Sequence, residues 1–161
     1  MKNSQLSIFS KNMKTVTHDQ LCDIAAKYFK RVFKLKAVTV NNRLMYNDEK
    51  PDVFGFNTMA TNSFLVEVKV SRADFLRDKN KMFRKYPNKG MGNYRYYCCP
   101  EGLIAVADLP AGWGLLYYRP GFNDIIEMRP AGRRVDINKR SERYLLLYYL
   151  RFPVKYKENV R

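Results

Sequence analysis

Two carboxylates and a lysine have the types and spacing to do chemistry together: Asp52 in the pair Pro51-Asp52, and Glu67 and Lys69 in the run VEVKV. Phosphodiester hydrolysis needs a water made more acidic, a Lewis acid facing the charge that develops at phosphorus, and a group that orients the water. Asp52 and Glu67 are hard oxygen ligands of the kind Mg2+ takes, with Mn2+ as its substitute, and the Val68 backbone carbonyl can turn inward as a further ligand. Lys69 can hold the attacking water and face the developing negative charge. The competing interpretation is a salt bridge on a charged, solvated strand face.

These side chains meet only if the chain around them is extended. Val66, Val68 and Val70 alternate with Glu67, Lys69 and Ser71, the period-two pattern of a strand with one face in a core, so Glu67 and Lys69 share a side. The preceding PDVFGFN is a second β-rich run, and pairing of the two as a hairpin brings Asp52 beside Glu67. After Ser71, which can cap, Asp74 in the first turn and Phe75, Met82 and Phe83 on the buried side predict a helix that Pro87 and Gly90 stop. Arg72, Arg77, Lys79, Lys81, Arg84 and Lys85 outnumber Asp74 and Asp78 along it, which sets phosphate-binding charge next to the carboxylates.

Elsewhere, Thr17 and Gln20 fit a capping box, followed by apolar residues at helical spacing from Leu21 to about Phe33. Residues 36–41 predict a strand, and asparagines at 41, 42 and 47 a turn-rich link. PNKGMGN at 87–93 is too irregular for a Walker phosphate loop and is expected to be a mobile connection. YRYYCC, GLIAVA, GWGLLYY and 125–128 are strand candidates, and 144–150 a closing helix with a basic tail. With no repeat or linker, the expectation is one domain over 1–161. Its core runs from about 17 to 118, with a basic arm at 1–15 and a basic extension at 129–161.

The 161 residues, 46% of them hydrophobic, suffice for a core without staples, and a net charge of +15 makes nucleic acid the leading partner class. Cys22 and the adjacent Cys98-Cys99 lack C-x-x-C zinc spacing and suit reduced thiols. No window approaches the ~18 apolar residues of a membrane span, so the expected setting is cytoplasmic. His18, the lone histidine, sits at a helix start, where capping or exposure is its expected use. The paired tyrosines fall in strand and helix patterns, where packing is the commoner use than base stacking.

Pro51-Asp52, a fourteen-residue gap and Glu67-Val68-Lys69 resemble the signature of the PD-(D/E)xK nuclease superfamily. The continuation Ser71-Arg72-Ala73-Asp74-Phe75 with Asp78-Lys79, and the segment PEGLI, are similar to a DNA-repair-associated branch of it. The resemblance covers residues from about Thr17 to Pro100. It implies an α/β fold with a restriction-endonuclease-like core, a central mixed sheet flanked by helices in the order αβββαβ, with C-terminal β/α additions. It further implies Asp52 and Glu67 as metal ligands, Lys69 as the catalytic lysine, and Ser71, Asp74 and Lys79 as supporting or substrate-positioning residues. Many members add an acid on the first helix, where this chain offers Gln20 or Asp23 in an open register. The expected function is therefore a Mg2+-dependent DNA endonuclease of repair, recombination or phage and mobile-element DNA processing. DNA is the partner, and a homodimer is kept open. The alternative is a non-catalytic nucleic-acid-binding protein that retains a nuclease-like fold.

Overall fold

Thr17 starts the first helix as its residue type predicts. Its hydroxyl accepts from the Gln20 amide at 3.2 Å, and the Gln20 side chain accepts from the Thr17 amide at 3.0 Å. The computed structural model describes residues 15–41 and 49–151, so the expected N-terminal arm, most of the link at 42–48 and the end of the basic tail lie outside it. The capped helix is α1 (His18–Val32), and Leu21, Cys22, Ala25, Ala26 and Phe29 form its buried stripe.

Strands β1 (Ala37–Val40), β2 (Val53–Phe56) and β3 (Ser63–Val68) follow. Two short helices, α2 (Arg72–Asp78) and α3 (Met82–Lys85), lead to β4 (Tyr94–Pro100). Then come β5 (Gly114–Arg119), β6 (Asp124–Arg129) and α4 (Lys139–Arg151). The strands make one six-stranded sheet in sequence order. Pairs β1–β2, β2–β3 and β5–β6 are antiparallel, while β3–β4 and β4–β5 are parallel, which requires the crossovers that α2, α3 and residues 101–113 supply. The protein is thus α/β with a mixed sheet flanked by helices.

Four details depart from the sequence expectations. Every residue of β3 is buried, on both faces, so the valine alternation marks two packed layers rather than one wet face. Val66 and Val68 face the α1 layer, while Leu65 joins Phe54, Phe75, Tyr97 and Trp113 in the other. Val70, expected inside, is 39% exposed because the strand has ended. The helix after Ser71 is broken at 79–81 into α2 and α3, and the break turns Met82 outward to 55% exposure. GLIAVA is not a strand: Gly102 at φ +80° turns the chain, and a short 3-10 turn covers Val106–Asp108.

Within the segment 87–93, expected to be a mobile connection, Asn88 and Lys89 are exposed, but residues 90–93 are buried and hydrogen-bonded. The Met91 amide donates to Glu49, the Gly92 amide to Glu142 at 2.9 Å, and the buried Arg95 guanidinium to the carbonyls of Pro87 and Met91. Through Glu142, which also accepts from Ser63 at 2.6 Å, and Leu145, 1% exposed, the basic C-terminal region is tied into the sheet. Gly92 lies at φ +89°, and a Cβ there would sit 2.8 Å from Leu65 Cβ. Gly92→Ala is expected to cost about 2 kcal/mol, read as a lower urea midpoint; an unchanged midpoint would contradict that packing.

Candidate functional site

Continuing the β2–β3 register one step past Val53↔Val66 sets Asp52 opposite Glu67. The expected hairpin therefore forms, and the three sequence-predicted residues converge at one end of it. Asp52 Oδ2 accepts from the Val68 amide at 2.8 Å, and Lys69 Nζ lies 3.4 Å from Glu67 Oε2. What the structure uses at Val68 is this amide. Burial first, then the charge of Glu67, push the Asp52 carboxyl up to about 6.

Glu67 and Lys69 sit in a buried charge cluster that sequence spacing could not show. Lys69 Nζ is also 3.4 Å from Asp74 and 3.3 Å from Asp78, while Lys81 Nζ lies 3.4 Å from Glu67 and 2.6 Å from Asp78. Arg84 reaches Glu49 at 2.9 Å, Glu67 at 3.1 Å and Asp78 at 2.7 Å. With Arg77 on Asp74 at 3.5 Å, four carboxylates thus face four cations, and Asp52 adjoins as a fifth carboxylate. Burial alone would lower the Lys69 pKa, but Glu67, Asp78, Asp74 and Asp52 outweigh it and hold the ammonium above its ordinary value. Lys69 is therefore a permanent cation here, suited to orienting a water or facing negative charge and not to accepting a proton.

The cluster bears on the metal expectation. Glu67 Oε1 is buried and makes no hydrogen bond among the described residues, while Arg84 Nη2 lies 3.1 Å from it as an ion pair. Asp52 and Glu67 carry hard oxygen donors of the kind a divalent cation of the Mg2+ class takes.

The expected DNA contacts divide. Ser71 caps α2 by accepting from the Asp74 amide at 3.2 Å. Arg72 pairs with Asp108 at 2.7 Å. Lys79 and Lys85 are exposed, Lys79 over the Phe75 ring, and Lys81 is half-buried in its ion pairs. Arg84, at 4% exposure, is a core residue, because three carboxylates hold it against Trp113 with 4.4 Å from guanidinium carbon to ring centroid. Gln20 is spent on the α1 cap and is exposed, as is Asp23.

Instead of an acid, α1 brings His18 to the site: its Nε2 lies 3.4 Å from Asp52 Oδ1, and Cys22 follows one turn on. His18 and Cys22 stand four apart on one helical face, a signal present in the sequence, but nothing in it said which strand residue would meet them. Glu49, Asp78 and Arg84 were likewise invisible as partners.

No protein-family model and no curated protein matches the chain. Among solved structures, the SPO1766 protein of unknown function from Silicibacter pomeroyi is similar to it, with a TM-score of 0.60, 19% identity, and coverage of 87% of this chain and 95% of that one. That similarity concerns the fold.

Proposed function

We propose that the protein is a metal-dependent DNA endonuclease with a restriction-endonuclease-like core, acting in DNA repair, recombination or mobile-element DNA processing. The observation that carries it is the β2–β3 hairpin, which faces Asp52 toward Glu67 and keeps Lys69 Nζ 3.4 Å from Glu67. Mg2+ or Mn2+, when bound, would supply Lewis acidity at the phosphate and a more acidic water. Asp52 and Glu67 would hold it, and the Val68 amide keeps Asp52 aimed. Lys69, charged at neutral pH, orients the water and faces the charge that builds at phosphorus. Lys79 and Lys85, with the +15 overall charge, favour the backbone of a nucleic acid.

A second reading has its own support. Glu67 and Lys69 are engaged with Lys81, Arg84 and Asp78, as they would be in a structural charge cluster of a nucleic-acid-binding protein that does not cut. Cleavage of duplex, nicked and branched DNA with Mg2+ or Mn2+ separates the two. Under the nuclease reading Asp52→Ala, Glu67→Ala and Lys69→Ala each reduce cleavage by at least about 100-fold. Salt-dependent DNA binding by an uncutting wild type would select the second reading instead.

A further inference from the structure

We propose that His18, Cys22 and Asp52 form a second kind of centre, a three-ligand site for a borderline divalent metal of the Zn2+ class. It goes beyond the nuclease reading and stands on two α1 residues which that reading does not use. A four-coordinate Zn2+ with ligand distances near 2.0–2.3 Å sets its ligands about 3.3–3.7 Å apart. His18 Nε2 is 3.4 Å from Asp52 Oδ1, Cys22 Sγ lies 4.0 Å from Nε2 and 3.6 Å from Nδ1, and the three donor atoms all lie within 4.8 Å of one another. Closing the donor set on an ion needs the Cys22 thiol to swing from the Nδ1 side of the imidazole toward Nε2.

The surroundings are those of a ligand set and not of a chance cluster. His18 Nδ1 lies 3.5 Å from Asp19 Oδ1, and Asp19 is itself held by the Asn41 side chain at 3.1 Å. A carboxylate on Nδ1 keeps the N–H there and leaves the Nε2 lone pair facing Asp52, the outer partnership that metal-bound histidines use. Asp52 is fixed in the same way: Oδ2 takes the Val68 amide, which leaves Oδ1 to the site. Cys22 is fully buried and in no disulfide, so its thiol is available as a donor. Binding replaces the thiol proton, which leaves to solvent, and the resulting thiolate and the imidazole favour Zn2+ over Mg2+.

The two exposures complete the picture. His18 is 38% and Asp52 20% exposed at the side chain, so solvent reaches the donor set and water could complete the coordination of a bound ion.

The test uses the full chain, stripped by chelator and returned to metal-free buffer. Zn2+ at about 100 times its Kd is expected to raise Tm by roughly 5–10 °C, with no such rise from equal Mg2+. Co2+ should give a thiolate-to-metal charge-transfer band that Cys22→Ser removes while Cys98 and Cys99 remain. His18→Gln, at a partly buried position, and Cys22→Ser should each weaken Zn2+ binding by about 100-fold. Lys69→Ala, which stops the proposed cleavage, should bind Zn2+ like wild type, so failure of the nuclease reading and failure of this one are told apart. The proposal is overturned if Zn2+ leaves Tm unmoved, if Co2+ gives no thiolate band, or if both α1 variants bind like wild type.

Discussion

Arg84→Ala is expected to destabilise the fold by about 3–5 kcal/mol, the range for breaking a buried ion pair from one side. Arg84 is the cation that Glu49, Glu67 and Asp78 share, and all three are 2% exposed or less at the side chain. Removing it leaves three buried carboxylates with Lys69 and Lys81 alone, and Glu49 then keeps only the Met91 amide and the more distant charge of Arg95. The stacking over Trp113 is lost as well. Lysine at 84 should recover only part of the loss, since one ammonium cannot span three carboxylates the way a planar guanidinium does. Urea unfolding at neutral pH measures the effect. A loss below about 1 kcal/mol would put Arg84 among ordinary surface pairs and contradict its burial.

Arg84 also shows where the sequence stopped being informative. A helical run with six cations looks like a solvated or phosphate-facing surface, because periodicity reports which residues are apolar and not which charges are paired. The partners come from position 49, 35 residues before Arg84, and from β3 and α2, and only the folded sheet brings them together. Local signals did better. Thr17 and Gln20 announced the start of α1, and the valine alternation announced β3 and the shared side of Glu67 and Lys69. The same alternation misled about depth, since it cannot distinguish one buried face from two when Glu67 and Lys69 are buried by ion pairs at the end of an otherwise apolar second layer. Gly102 and the break at 79–81 are local turns that a run of apolar or basic residues conceals. His18 was legible as a helix-start residue, while its closeness to Asp52 depends on how α1 lies on the sheet.

Asp52→Asn is expected to make the metal-free protein more stable while removing its metal-dependent properties. Asp52 titrates at 3.8 when unperturbed, but burial and Glu67 hold its proton in the fold up to about 6. Between those values the folded state binds more protons than the unfolded one, so this residue's contribution to stability falls as pH rises through that window and stays low above it. That gap is worth about 3 kcal/mol, an upper bound for a side chain still 20% exposed. Asparagine carries no charge to bury and its amide oxygen can still accept from the Val68 amide. The variant should therefore exceed wild type by about 1–3 kcal/mol above pH 7, and the two should converge below pH 4. Parallel stability curves for the two proteins across pH 4–8 would refute the assigned cause. Zn2+ should reverse the ranking, raising the Tm of wild type and leaving that of Asp52→Asn in place, because the carboxylate that burdens the empty fold is a ligand of the proposed centre.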